Sequence, residues 1–167
     1  MEVINLATDA ILRVKDAELK AKEILEKAHK DALILKEEAK EKAKKSYDEA
    51  MKNVAEALDE VDKMVETAKD FLKEILLDEG NEEYGTVAYF MEYHRDEMDE
   101  DTLSEIFPSS DIDTMTFAEM VDYLEAVRFG SIIDSKTQKQ AFIMDLSFDT
   151  ELTDELMVIH FNLDKQP

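Results

Sequence analysis

The chain has no cysteine and no tryptophan, three glycines, two prolines and fewer than half as many basic as acidic residues. The missing cysteines exclude a disulfide framework and any thiolate-ligated zinc or iron–sulfur centre, and they suit a reducing compartment. With 20 Lys+Arg against 42 Asp+Glu the net charge is −22, a field that repels phosphate backbones and anionic lipid surfaces. Nucleic acid is therefore not an expected partner. No apolar run approaches the roughly 18–20 residues that cross a bilayer, and Asp9 and Arg13 interrupt what would have to be the apolar stretch of a signal peptide. The expected location is cytoplasmic, without direct membrane insertion. So few helix breakers in 167 residues make long helix the first structural expectation.

The breakers that exist are unevenly placed. Gly80, Gly85, Gly130 and Pro108 all lie beyond residue 78, and residues 1–78 can form one continuous helix. Residues 1–78 hold 15 basic and 20 acidic residues, a net of −5, whereas residues 79–167 hold 5 and 22, a net of −17. Ala, Lys and Glu dominate the first part; Phe, Tyr, Asp and Thr gather in the second. The expected organisation is a coiled-coil-type helix over 1–78 followed by an acidic domain over 79–167.

Within the first part, apolar residues recur in steps of three and four: Val3, Ala7, Ala10, Val14, Ala17, Ala21, Ile24, Ala28, Ala32, Leu35, Ala39 and Ala43, and again Ala50 through Ile75. Two series advance by eleven, Ala10-Ala21-Ala32-Ala43-Val54-Val65 and Ala17-Ala28-Ala39-Ala50-Val61-Leu72. An eleven-residue repeat has about 3.67 residues per turn and predicts a straight or right-handed supercoil. The remaining faces place an acid four residues ahead of a lysine, as in Asp16/Lys20, Glu23/Lys27 and Glu41/Lys45. Such pairs support an exposed helix by about 0.2–0.5 kcal/mol each. An alanine-rich stripe permits close approach but buries little area, so this helix wants a partner helix, either another protein's or, by self-association, that of a second copy of this chain. The candidate seam is Ala10, Val14, Ala17, Ala21, Ile24, Ala28, Ala32, Leu35, Ala39 and Ala43.

The second part reads as α+β. Thr86 can cap a helix presenting Val87, Phe90, Met91 and His94, and a short helical turn near 102–107 ends at Pro108. Thr116 with Glu119 forms a capping box for a helix over 116–128 whose apolar face is Phe117, Met120, Val121, Leu124 and Val127, stopped by Gly130. The segments SII, QAFIMDLSFD and LMVIHFNLD then read as a two- or three-stranded antiparallel sheet. Phe142, Met144, Leu146 and Phe148 alternate with Ile143, Asp145 and Ser147, giving one apolar face for the 116–128 helix to cover. Six methionines here, Met91, Met98, Met115, Met120, Met144 and Met157, read as core filler.

Catalytic patterns are weak. His94-Arg95-Asp96 repeats three letters of a kinase catalytic loop, but Asp101 stands where a metal-binding Asn is needed and no Gly-rich phosphate loop exists. Asp111-x-Asp113 resembles the start of a calcium loop, yet Thr116 occupies the position that requires glycine. His29, His94 and His160 show no ligand spacing, and no nucleophile–base constellation can be named. The expectation is a non-enzymatic protein with no cofactor and no metal. A second candidate contact is the acidic face of Glu92, Asp96, Glu97, Asp99, Glu100 and Asp101, suited to a basic protein partner drawn in by charge.

Two resemblances add to this reading. The opening segment, with its short amphipathic start, the phrase ILRVKDAELKAKEILEKA and the eleven-residue alanine spacing, resembles the small peripheral-stalk subunit, G or H, of V/A-type rotary ATPases. It covers roughly residues 1–50 and implies pairing with an E-type stalk subunit in a right-handed coiled coil that links the catalytic head to the membrane sector. Residues 47–167 are similar to an uncharacterised bacterial family, domain of unknown function two thousand and four, through EALDEVDKMVETAKDFL, GTVAYFMEYHRDEM, LEAVRFGSIID and AFIMDLSFDTELTDELMVIHFNLD. That family normally places a pair of strands before its first helix, where this chain has its coil-like segment. The second resemblance implies a small acidic domain of the kind associated with immunity to polymorphic toxins. The expected function is a coiled-coil stalk subunit, with an acidic module that neutralises a basic partner as the alternative.

Overall fold

A computed structural model describes residues 2–108 and 112–167, with side chains from Thr8 onward; Val3 and Ala7 of the stripe and Asp111 of the calcium-like turn lie outside this description. The chain divides into two units, Met1–Ala50 and Met51–Pro167. The described residues of the first are all helical, and helix α1 runs from Glu2 through the division to Leu58. Its 57 residues correspond to about 85 Å at roughly 1.5 Å per residue. From Thr8 to Glu49 every residue is exposed.

The second unit is α+β. Helix α2 (Val61–Leu77) follows α1 after a break at Asp59–Glu60, so the continuous helix expected over 1–78 is interrupted. No breaker residue stands there. Glu60 leaves helical geometry at φ −113° and ψ 11°, its carboxylate meets Lys165 Nζ at 2.6 Å, and α2 resumes with Met64, Ala68, Leu72 and Ile75 buried. Those side chains share one core with Ala57, Val87, Phe90, Met91, Met144 and Phe161. The compositional boundary at 78 therefore falls inside the second unit, because α2 buries its apolar face within that core.

Helix α3 (Tyr84–Asp96) starts two residues before the expected Thr86 cap, with Glu83 at its N-cap, and buries the four side chains expected of it, Val87, Phe90, Met91 and His94. Helix α4 (Glu100–Ile106) is capped by the Asp99 side chain, which accepts from Thr102 N. Helix α5 (Phe117–Met120) carries the capping box in full, with Thr116 and Glu119 exchanging side-chain and backbone bonds.

The helix expected over 116–128 ends early. After Met120 the chain tightens into a 3₁₀ turn, Val121–Tyr123, and strand β1 runs from Glu125 to Ile133 with Gly130 inside it. Helical spacing holds only as far as Leu124, which is buried; Val127 is exposed, and the β-branched and aromatic run beyond it pairs with β2 instead. β1, β2 (Gln140–Ser147) and β3 (Met157–Phe161) form a three-stranded antiparallel sheet in the order β1-β2-β3. Phe142, Met144, Leu146 and Phe148 face the core as their alternation requires. Of the side chains alternating with them, Asp145 and Ser147 are buried too. Arg128 of β1 lies across Asp145 in an ion pair. The residual end of α1 joins this unit through Asn53, whose amide donates to the Gln140 side chain at 2.8 Å.

Of the six methionines, Met91, Met120, Met144 and Met157 are buried, while Met98 and Met115 pack partly buried against the same core. No helix among the described residues is long and apolar enough to cross a membrane.

Candidate interaction surfaces

All ten residues of the alanine seam lie on α1 and all are exposed, including Val14, Ile24 and Leu35 at 57–68%. Ion pairs between neighbouring turns flank it: Arg13–Asp9 at 3.0 Å, Lys20–Asp16 at 2.7 Å, Lys40–Glu37 at 2.8 Å and Lys45–Glu41 at 2.8 Å. Their side chains are well hydrated, so they support helicity rather than close a site. Within the first unit nothing covers the seam. Advancing about 100° per residue, the seam occupies one side of α1, and Ile11, Leu12, Leu19, Leu33 and Ile34 fall roughly opposite, also exposed. Sequence reasoning passed over this second line, although Ile11/Leu33 and Leu12/Ile34 are each spaced by two eleven-residue repeats.

The six acids proposed as a second contact divide into different roles. Asp96 pairs with the neighbouring Arg95 at 2.7 Å, which holds its carboxyl below the ordinary carboxylate range. Asp99 caps α4, accepting from Thr102 N at 2.9 Å and from the Thr102 hydroxyl at 3.1 Å, and those bonds lower its carboxyl as well. Glu92, Glu97, Glu100 and Asp101 are exposed. Two of the six thus also secure the ends of α3 and α4.

His94 is fully buried and packs against the rings of Phe90, Tyr93 and Phe148. Its Nδ1 lies 2.8 Å from the Phe90 carbonyl oxygen, which can only accept, so Nδ1 carries the proton and Nε2 accepts from the Thr153 hydroxyl at 3.2 Å. Thr153 Oγ1 in turn accepts from Glu155 N at 3.2 Å. Burial pushes the imidazole below its ordinary value, against the opposing pull of the Phe90 bond and the Glu155 charge. Arg95 sits 4.8 Å over the Phe117 ring. The His94-Arg95-Asp96 triplet is therefore an architectural one. His29 and His160 are exposed, and among the described residues no group of three or more His, Asp or Glu is placed to hold a metal ion.

A feature that sequence reasoning missed is a groove of about 370 Å³ between α3 and the segment entering β3. Thr86, Tyr89, Phe90 and Tyr93 line one side, and Glu155, Leu156, Met157 and Val158 the other. Tyr89 is 68% exposed, Val158 46% and Leu156 39%. The spacing of Tyr89 and Tyr93 by four, off the buried face of α3, was a legible sign; the other wall lies more than sixty residues away along the chain.

No family model, no curated protein and no solved structure matches the chain.

Proposed function

We propose that the protein is a non-enzymatic interaction subunit whose N-terminal helix pairs along its alanine seam with another long helix, in the manner of the small peripheral-stalk subunit of a V/A-type rotary ATPase. The observation that carries this reading is the uninterrupted exposure of the seam from Ala10 to Ala43 along α1. A helical stretch as long as that from Thr8 to Glu49, exposed throughout, gains little from helix propensity, and burying one apolar stripe on a partner supplies what it lacks. Small side chains at the contact let two backbones approach closely, and the eleven-residue spacing keeps them on one side over many turns. In this reading the partner is an E-type stalk subunit and the acidic unit is a cap or adaptor.

The absence of cysteine makes the test direct. Single Ala21→Cys and Ala32→Cys variants carrying a photo-crosslinker, returned to the native host, will form cross-links to a long-helix stalk subunit. The same probe at Lys30, on the far side of α1, will not. Ala32→Glu will abolish the pairing, since it buries a charge in a narrow apolar contact. Equal cross-linking from seam and far side, or full pairing by Ala32→Glu, overturns the reading.

A further inference from the structure

The groove on the second unit points to a partner different from the helix that would cover the seam. Its floor and walls combine the exposed Tyr89, the half-buried Tyr93, the apolar Leu156 and Val158, and one carboxylate, Glu155. This is the composition of a contact centre, in which rigid aromatic side chains bury area at low entropic cost. The wall formed by Leu156–Val158 leads into β3, which is the last strand of the sheet on its side. Among the described residues its outer edge has no neighbouring strand, so alternate amide and carbonyl groups there are available to an added chain.

The two edges of the sheet are built differently. On β1 the register slips between Ala126 and Arg128, a bulge that disturbs regular pairing at that edge. β3 pairs with β2 in unbroken register from Met157 to Phe161 and carries neither a bulge nor a lysine nor a proline. Charge decides the occupant. The second unit holds 9 basic and 30 acidic residues, a net of −21, and Glu155, Asp154 and Glu92 stand exposed near the groove on its two bordering segments. A second copy of this unit would meet the same field and be repelled. A basic chain would be drawn in, and the faces of Tyr89 and Tyr93 can hold a cation as well as the carboxylate does.

We infer that the groove between α3 and the free edge of β3 docks an extended basic segment of a partner protein, added as a strand to β3 with a cationic side chain seated among Tyr89, Tyr93 and Glu155. Backbone pairing supplies register, and the tyrosine–glutamate site selects the charge.

The probe is a short fluorescent peptide alternating arginine with valine, compared with its glutamate–valine counterpart and with a version N-methylated at alternate amides, each titrated into the full chain at low and high salt. The arginine peptide will bind, more weakly at high salt, and the other two will bind about tenfold less or worse. Tyr89→Ala and Glu155→Lys will each weaken it by about tenfold or more. Glu26→Lys, the same charge change on α1, will leave it unaltered. Amide exchange at Leu156–His160 will slow on binding. Tyr89 and Glu155 are exposed, so both variants keep the core intact, and unchanged near-ultraviolet dichroism will verify this. Equal loss from Glu26→Lys and Glu155→Lys would reduce the binding to diffuse attraction and overturn the proposal. So would N-methylation without effect, self-association through β3, or no binding at all. None of these outcomes bears on the cross-links expected at the seam.

Discussion

His94 is a neutral imidazole enclosed by three aromatic rings, and the second unit's response to mild acid turns on it. Its folded value lies below the ordinary 6.5, chiefly because burial disfavours the charged form. As pH falls through the ordinary value, the unfolded chain takes up a proton that the folded chain still refuses. The unfolded state then binds more protons, so stability is full above about pH 7 and declines as pH drops toward the depressed folded value. The carboxylates of Asp96, Asp99, Glu119 and Asp134 are lowered by their own hydrogen bonds, which places their loss at a more acidic window. Urea unfolding monitored by tyrosine fluorescence will show a falling midpoint between pH 7.5 and pH 5.5, and His94→Gln will flatten that slope. A midpoint that moves equally in wild type and variant would assign the effect to another group. Helical spacing puts His94 on the same face as Val87, Phe90 and Met91; that it also ties α3 to Thr153 is not legible in the sequence, since the two are 59 residues apart.

At the scale of elements, the local signals that were read correctly are those in which neighbours in sequence satisfy one another. The Thr116/Glu119 capping box closes within four residues, and the Phe142–Phe148 alternation needs only a strand and a core. The misreadings concern segments whose state is chosen by a distant partner. EAVRF has the apolar spacing to prolong α5, but β2 offers it a ladder of hydrogen bonds, broken by one bulge between Ala126 and Arg128, and the strand prevails. Helix α2 looks like more of the coil by composition, yet Leu72 and Ala68 are fully buried in the core of the second unit. Leu72→Ala will therefore lower the stability of that unit by about 2–5 kcal/mol in chemical denaturation. A fragment covering 51–167 will unfold cooperatively, and one covering 79–167 will not. Cooperative unfolding of the shorter fragment would restore the boundary at 78.

For the molecule as a whole, dividing the chain where the structure divides it sharpens the charge asymmetry. Residues 1–50 hold 11 basic and 12 acidic residues, a net of −1, against −21 for the remainder. A nearly neutral helix carries little field to oppose an apolar contact, whereas an acidic unit strains against its own field. Thermal unfolding of the second unit will shift upward as sodium chloride is raised from low to physiological ionic strength, because the Debye length contracts to about 8 Å and like charges are screened. Seam pairing will be indifferent to the same change. A second unit whose midpoint does not rise with salt would show that its acids are already compensated by partners such as Lys73 on Asp122 and Lys165 on Glu60.

The sequence by itself determined the long amphipathic helix, the alanine seam with its eleven-residue period, the Thr116/Glu119 capping box of α5 and the acidic α+β character of the remainder. Each of these follows from composition or from spacing along a few turns. Only the tertiary structure decided that α2 belongs to the globular unit, that β1 is a strand, that Asp145 and Ser147 are buried on the sheet's second face, and that Tyr89 and Tyr93 meet Glu155 across a groove. Those outcomes depend on side chains brought together from separate elements, as Arg128 is over Asp145 and Tyr89 opposite Glu155, or on competition between helix and sheet pairing. Neither is encoded in a local period.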